Sequence, residues 1–369
     1  MSDGGEMAGR RPSAPAGLAT PLEDDDILGQ ILLRLPARPS SLLRAAAVCK
    51  RWCRVVSSPH FRRSFRGHHR KPPLFGFLAQ NEDDDIAFTP ALDSPDRIPT
   101  ERFTLPLAEG TVFLGCRHGR ALSIDHLRCH FLVWDPITGD VRLVSFPSVP
   151  RSEGMYNFNG AVVCAAGDQD HVHGCCHLCP FKVVFVGNEG MVASVYSSDT
   201  DSWGDLISIP RPPDVKFVST TCHNILADPP QQAFELSDRQ LLVTPADGAD
   251  LGFLVLSGFT AQLWKRKTNS NGGDVWVLRN TIELTSLLSL DPWMGTPKVL
   301  GLDEDDNSML LLMDDGVAFM VHLESEQFEK LPEKMSFGFW HPFTSFYTAG
   351  WFGQPNRGQQ NARPNHAGE

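Results

Sequence analysis

The sequence lacks long hydrophobic runs. A membrane-spanning helix needs about 18 or more consecutive apolar residues. The longest apolar stretches here, such as residues 251–259, have only the length of a strand. The segment before residue 22 also lacks the apolar core of a secretory signal. We therefore expect no membrane partner and no secretion.

Positive charge is also scarce, because 33 Lys and Arg residues stand against 44 Asp and Glu residues, a formal net charge of −11. A general nucleic-acid binder needs a basic surface for phosphate contacts, so we expect no nucleic-acid partner. Nine cysteines, an odd number without a regular framework, indicate a reducing compartment. We expect the protein in the cytoplasm, the nucleus or both.

Catalytic motifs are missing as well. The chain has no G-x-S-x-G elbow, H-E-x-x-H helix, phosphate-binding loop or dinucleotide fingerprint. Without a nucleophile–base pair or a metal scaffold, catalysis has no candidate residues. We expect a protein that is not an enzyme and that uses no cofactor.

The strongest pattern that is present lies near the N-terminus. Three aspartates (residues 24–26) precede an apolar series and are suited to capping a helix and to its dipole. Pro36 and Pro39 then end that helix. The series has the spacing of one helical face: Ile27, Leu28, Ile31, Leu32 and Leu35.

Two further short helices are predicted in the same segment. Ser40 or Ser41 can cap the second, and the third carries Trp52 and ends at residues 57–59. A unit of about 45 residues is marginal on its own, because so small a chain buries too little surface. Part of the apolar surface should therefore be a docking face.

The three blocks ILLRLP, VCKRW and Pro-His-Phe, at residues 31–36, 48–52 and 59–61, resemble an F-box, specifically that of a large plant family. In that family a three-helix module binds a Skp-type adaptor, which joins it to a cullin-based ubiquitin ligase. The alternative is a helical hairpin that packs on its own C-terminal domain.

The resemblance implies a set of adaptor-binding residues. Many F-boxes open with a Leu-Pro pair, but the aligned positions here are Glu23 and Asp24, so Leu22 takes that role with a shift of one residue. The full set is Leu22, Ile27, Leu28, Ile31, Leu35, Pro36, Leu42, Leu43, Val48, Cys49, Trp52 and Phe61.

From residue 74 onward, short apolar stretches alternate with Gly, Pro and Asp. Strand–turn–strand units recur at residues 119–147, 181–210, 251–284 and 298–332, and residues 337–351 read as a closing strand. This repetition predicts a β-propeller, with a large β-sandwich as the alternative. At about 40–50 residues a blade, the length allows about six blades.

The predicted organisation is multidomain α+β, a three-helix F-box followed by an all-β domain. The boundaries are a disordered tail at residues 1–20, the F-box at 21–65, a basic linker at 66–73, the propeller-like domain at 74–352 and a second disordered tail at 353–369. The linker is interpreted as a solvated connector, and a nuclear-localisation signal is the alternative.

The C-terminal region also resembles that of the plant F-box family, through AFELSDRQLLV, LGFLVLSGFTAQLWKRKTN and FMVHLESEQFEKL. The resemblance implies a substrate-recognition subunit of a Skp–cullin–F-box ubiquitin ligase, whose β domain presents an unknown protein target. Two alternatives remain open, an F-box protein acting outside a ligase and a lectin-like propeller that binds a ligand.

Cysteine and histidine are concentrated in residues 164–180, where Cys176 and Cys179 have zinc-knuckle spacing. No second spaced pair accompanies them, so we expect no metal and a dispensable loop. The acidic runs at residues 83–85 and 303–306 are interpreted as solvated turns rather than cation sites. Packing rather than sugar stacking is predicted for four strand tryptophans, Trp134, Trp203, Trp264 and Trp276.

Overall fold

The structure is a computed structural model of the 369-residue chain. It describes residues 24–148, 158–166, 171–174, 176–187, 192–208, 218–219, 224–225, 239–245, 251–268, 274–290, 295–304 and 306–346. Two compact units are present, Met1–Pro36 with Ser40–His68, and Ala37–Pro39 with His69–Glu369. Within these described ranges, no helix has the length and apolar character needed to cross a membrane.

The first unit is helical. Its helices are α1 (Asp25–Leu32), α2 (Pro39–Val48), α3 (Lys50–Ser57) and α4 (Pro59–His69). The predicted N-terminal cap is confirmed, since Asp24 Oδ1 accepts hydrogen bonds from the N–H groups of Asp26 at 2.8 Å and Ile27 at 3.1 Å. A carboxylate at this position satisfies N–H groups that have no partner within the helix.

Two prolines begin helices where the sequence predicted only breaks. Pro39 is the first residue of α2, so neither Ser40 nor Ser41 begins that helix. Pro59 begins the unpredicted helix α4, and the N–H of Phe61 donates to Ser58 Oγ at 3.2 Å. Proline fits a first helical position because its missing N–H is not needed there. The basic segment is consequently helical through His69.

The core of the helical unit comes from all four helices. An ion pair of 2.7 Å between Arg51 Nε and Asp25 Oδ1 also joins α3 to α1. Each buried leucine, valine or phenylalanine contributes about 1.5–3 kcal/mol. The buried apolar residues are Leu28, Leu32, Leu42, Ala45, Val56, Phe61 and Phe65.

The described residues of the second unit form five larger antiparallel sheets, which we call blades, and one separate two-stranded pair. Blade 1 contains β1 (Leu74–Gln80), β2 (Ile86–Pro90) and β22 (His341–Thr344). Blade 2 contains β3 (Thr111–Arg117), β4 (Arg120–Asp125), β5 (His130–Trp134) and β6 (Val141–Ser145). Blade 3 contains β7 (Phe158–Cys164), β8 (Phe181–Gly187), β9 (Val192–Ser197), β10 (Ser202–Trp203) and β11 (Ile207–Ser208).

Blade 4 contains β14 (Arg239–Pro245), β15 (Leu251–Ser257), β16 (Thr260–Thr268) and β17 (Asp274–Glu283), followed by the short helix α5 (Leu284–Leu287). Blade 5 contains β18 (Lys298–Asp303), β19 (Ser308–Leu312), β20 (Ala318–His322) and β21 (Phe328–Lys330). A separate pair, β12 (Val218–Ser219) and β13 (Asn224–Ile225), lies between blades 3 and 4 in the chain.

The hydrophobic cores lie between blades, as a propeller requires. Phe131 of blade 2 shares a cluster with Phe185 of blade 3, and Leu254 of blade 4 shares one with Met309 of blade 5. Blade 1 packs on blade 2 through Phe343 in one cluster and on blade 5 through Phe77 in another. The predicted propeller is therefore confirmed.

The expected number of about six blades was wrong, and the described residues form five. The chain-length estimate assigned every stretch of about 40–50 residues to a blade. Between β11 and β14 the described residues supply only the pair β12 and β13, so this stretch adds no four-stranded sheet. Blade 1 is also assembled from both ends of the domain rather than from one continuous repeat.

The ring is closed by β22. This strand pairs antiparallel with β1, with Phe343 opposite Gly76 and His341 opposite Leu78. This pairing makes β1 the central strand of blade 1, so β1 is not an open sheet edge, which is where unwanted strand pairing occurs. A closing strand was predicted at residues 337–351. The structure confirms it for His341–Thr344.

The four strand tryptophans have packing roles, as predicted. Trp134 is buried in the cluster between blades 1 and 2. Trp203 packs against the cluster between blades 2 and 3, and its Nε1–H donates to the carbonyl of Ser145 at 2.7 Å. Trp264 and Trp276 lie with Phe253 in a cluster of blade 4.

One glycine allows two strands to approach closely. A Cβ at Gly301 of β18 would lie 2.2 Å from the carbonyl oxygen of Trp340, and the β18–β19 register shifts at this point. The obstacle is backbone, so it cannot move aside like a side chain. Overpacking of this kind costs about 1–3 kcal/mol.

We expect Gly301→Ala to lower the free energy of unfolding by about 1–3 kcal/mol. The matched control is Gly338→Ala, whose added Cβ would meet its nearest neighbour at 3.6 Å, an ordinary contact. Chemical denaturation of both variants measures the difference. Equal stability of the two variants would contradict the close approach of β18 to Trp340.

Candidate functional site

Apolar side chains are exposed on α1 and α2. Ile27 and Ile31 are 44% and 40% exposed, and their spacing of four residues places them on one face of α1. Leu43 and Val48 of α2 are 41% and 61% exposed. An exposed group of large apolar residues on a small unit is typical of a binding surface.

The remaining residues of the predicted adaptor-binding set divide into three groups. Pro36 and Cys49 are exposed, and Leu35 and Trp52 are half-buried. The side chains of three others, Leu28, Leu42 and Phe61, are buried in the helical unit. The resemblance that implied these residues did not distinguish buried from exposed positions. Leu22 lies outside the described residues.

A groove runs between α1, α3 and α4. Its apolar lining includes Ile27 of α1, Leu33 directly after α1, Val55 of α3 and Phe61 of α4. Charged groups also line it, namely Asp25, Asp26 and Arg54. The groove thus combines apolar surface with charges of both signs.

The propeller contains a small cavity of about 70 Å³, partly open to solvent. Its walls come from the β3–β4 turn and from β14, β18 and the segment around β22. Arg117 of β3 forms an ion pair with Glu304, which directly follows β18. Asp303 also lines the cavity and is buried, so the interpretation of residues 303–306 as a solvated turn was wrong for Asp303.

The connection from β7 to β8 brings two cysteines and two histidines together. The ligating atoms of Cys164, His171, His173 and Cys176 all lie within 4.8 Å of one another. His171 Nε2 is 3.4 Å from both sulfurs, and His173 Nδ1 is 3.3 Å from Cys176 Sγ. We call these four residues the Cys/His cluster.

The two thiols of the Cys/His cluster influence each other. The hydrogen bond from the Cys176 thiol lowers the pKa of Cys164 to about 3, with a further contribution from His173. The same hydrogen bond raises the pKa of Cys176, and burial raises it further.

Several contacts hold the chain around the Cys/His cluster. The Cys164 N–H donates to His118 Nδ1 at 3.0 Å, and the ring of His118 stacks on His173 with centroids 3.8 Å apart. Gly174 has a φ of +103°, and its carbonyl accepts from the N–H of Phe346 at 3.1 Å. A guanidinium N–H of the buried Arg120 donates to the carbonyl of Cys179 at 2.7 Å.

Zinc-knuckle spacing in the sequence indicated Cys176 with Cys179. The structure instead places Cys164, not Cys179, in the cluster. A signal was available, because Cys164 ends β7 opposite Phe181, the first residue of β8. The two ends of a hairpin connection are always neighbours, so Cys164 and the residues before β8 had to come together.

Comparison with protein families matches residues 25–66 to the F-box-like family. The match covers α1, α2 and α3 and most of α4. None of the curated proteins compared with this chain matches it.

Solved structures that match this chain share little sequence with it. A DUF4784 family protein from Bacteroides caccae is 12% identical, with a TM-score of 0.34 over 73% of this chain and 74% of that one. A luciferin-regenerating enzyme is 8% identical, with a TM-score of 0.25 over 72% of this chain and 80% of that one. TM-scores this low do not support a fold assignment, so the assignment of a propeller depends on the five blades. The chain thus carries an F-box-like match at residues 25–66, followed in the described residues by a five-bladed β-propeller, and this arrangement supports an F-box protein of the substrate-recognition type in general.

Proposed function

We propose that this protein is the substrate-recognition subunit of a Skp–cullin–F-box ubiquitin ligase. The observation that supports the proposal is that the family match and an exposed apolar surface occur in the same helical unit. The F-box-like match spans residues 25–66, and the same helices expose the apolar side chains of Ile27, Ile31, Leu43 and Val48. F-box domains generally bind Skp-type adaptors, and the adaptor would connect this chain to a cullin.

In this proposal some of the predicted adaptor-binding residues contact the adaptor, and the others support the helices from the core. The exposed and half-buried members contact the adaptor, with Leu22 as the N-terminal anchor. Leu28, Leu42 and Phe61 instead hold the helices in position from the core. The contact members are Ile27, Ile31, Leu35, Pro36, Leu43, Val48, Cys49 and Trp52.

The propeller would present the target. Its cavity is lined by ionic groups such as Arg117 and Glu304 and by apolar groups such as Leu242, which together suit a protein segment of mixed character. F-box domains are typically non-catalytic adaptors, so the chain itself would supply binding and no chemistry. We also propose that the protein belongs to the plant F-box family that its sequence resembles. Its proposed location is the cytoplasm, the nucleus or both.

The test is co-purification of the full chain from plant cells, followed by identification of the bound proteins. We expect a Skp-type adaptor, a cullin and a further protein as the target. Adaptor without cullin would favour a role outside a ligase. A bound sugar without any adaptor would favour the lectin-like alternative.

Removing the F-box should separate target binding from ubiquitin transfer. We expect a chain beginning at Arg70 to retain the target and to lose the adaptor, so that the target accumulates in cells. The cut is placed after His69 because α4 ends there, while Lys71 pairs with Asp306 of the propeller unit. The full chain carrying Leu127→Asp, a change at an exposed propeller residue, is the control. Target binding that follows the helical unit instead would contradict the proposal.

A further inference from the structure

The Cys/His cluster is the one group of three or more metal-ligating side chains that the described residues bring together. Zinc bound by two cysteines and two histidines has Zn–S distances of about 2.3 Å and Zn–N distances of about 2.0–2.1 Å. At tetrahedral angles these bonds place neighbouring N and S ligand atoms about 3.5 Å apart. The three N···S distances here are 3.4, 3.4 and 3.3 Å.

Hydrogen bonding among the four side chains does not account equally well for this arrangement. His171 Nε2 lies at 3.4 Å from both Cys164 and Cys176. A ring nitrogen either donates one proton or accepts one, so it satisfies only one of the two sulfurs. A cation at the centre of the Cys/His cluster contacts all four ligand atoms at once.

From this geometry we propose that Cys164, His171, His173 and Cys176 bind one Zn²⁺ ion. Two sulfurs and two imidazole nitrogens are the ligand set of many structural zinc sites. Four protein ligands leave no open position for water or substrate, so the ion is structural and not catalytic. This revises the expectation from sequence, which considered Cys176 with Cys179 and predicted no metal.

The residues around the Cys/His cluster support its ligands. His118 packs its ring against His173 at an interplanar angle of 12°, and its Nδ1 accepts the N–H of Cys164. Gly174 separates the ligands His173 and Cys176, and a Cβ there would lie 2.7 Å from the ring of Phe346. Outer contacts of this kind orient metal ligands and are part of the site.

The zinc site would stabilise one wall of the propeller cavity. His118 lines the cavity and contacts both Cys164 and His173. The ion would therefore fix the connection between β7 and β8 against the β3–β4 turn. Loss of zinc should loosen this wall while the inter-blade cores stay intact.

The test is zinc content of the full chain, purified under reducing conditions without chelator and measured by inductively coupled plasma mass spectrometry. We expect one zinc ion per chain in the wild type and close to none in Cys176→Ser and in His171→Ala. Cys179→Ser is the matched control, since Cys179 lies in the same connection but outside the Cys/His cluster. It should retain zinc.

X-ray absorption spectroscopy of the wild-type protein needs no variant and so does not depend on a variant's folding. We expect two sulfurs at about 2.3 Å and two nitrogens at about 2.0–2.1 Å from zinc. Three outcomes would overturn the proposal. They are reduced protein that stays zinc-free after added Zn²⁺, zinc lost in Cys179→Ser but kept in Cys176→Ser, and a Cys164–Cys176 disulfide in protein purified without oxygen.

Discussion

Replacing Val48 with aspartate is expected to abolish co-purification of the Skp-type adaptor while the chain stays folded. Val48 is the most exposed of the large apolar residues on α1 and α2, so its replacement removes nothing from the helical core. In the complex, the aspartate would be a buried charge without a partner. Such a charge costs several kcal/mol, and each 1.4 kcal/mol is a factor of ten in affinity.

A graded series distinguishes docking from a folding defect. Val48→Ala removes two methyl groups, each contributing about 0.8 kcal/mol when fully buried. Part of Val48 is already covered in the free protein, so we expect a loss of about 1 kcal/mol, or about fivefold in affinity. Leu35→Lys should abolish binding in the same way as Val48→Asp.

The control for the adaptor series is Leu127→Asp, which places the same charge at a leucine that is 73% exposed in blade 2. Affinities are measured by surface plasmon resonance with the purified adaptor, and folding by circular dichroism. Adaptor binding of wild-type strength in Val48→Asp would show that this part of α2 is not the docking surface.

The repeating part of the fold was predictable from sequence because its signals are local. Strand alternation and turn residues such as Asp135, whose Oδ1 accepts the N–H of Ile137 at 2.9 Å, mark each hairpin without reference to distant residues. The number of blades was not predictable in this way. It depends on the pairing of β1 with β22, strands that lie more than 250 residues apart in sequence.

The candidate sites show the same limit. The resemblance to an F-box implied Ile27, Ile31, Leu43 and Val48, which are exposed, but it also implied Leu28, which is buried. On a short helix whose apolar residues lie on more than one face, the sequence does not show which face is buried. For the Cys/His cluster, spacing along the chain emphasised Cys179 over Cys164. The register of β7 with β8 decides which cysteine is near, and register is a tertiary property.

Ring closure gives the second large expected effect, on stability. Phe343 of β22 is fully buried between the rings of Phe75, Phe88 and Phe103, with ring centroids 5.0 Å apart for the closest pair, Phe343 and Phe103. Truncating a buried phenylalanine costs about 3–5 kcal/mol, because transfer energy is lost and a cavity remains. Since domains have only about 5–15 kcal/mol of stability in total, Phe343→Ala should weaken the whole propeller severely.

The matched control for Phe343→Ala is Phe339→Ala, four residues earlier, where the side chain is 50% exposed. Surface substitutions of this kind change stability by about 0.5 kcal/mol or less. Chemical denaturation followed by tryptophan fluorescence measures both, because Trp134 lies in the same cluster as Phe343.

A chain ending at residue 250 should be unfolded, since it lacks β22, blade 5 and most of blade 4. Cooperative folding of that fragment, or equal stability of the two phenylalanine variants, would show that β22 does not close the ring energetically.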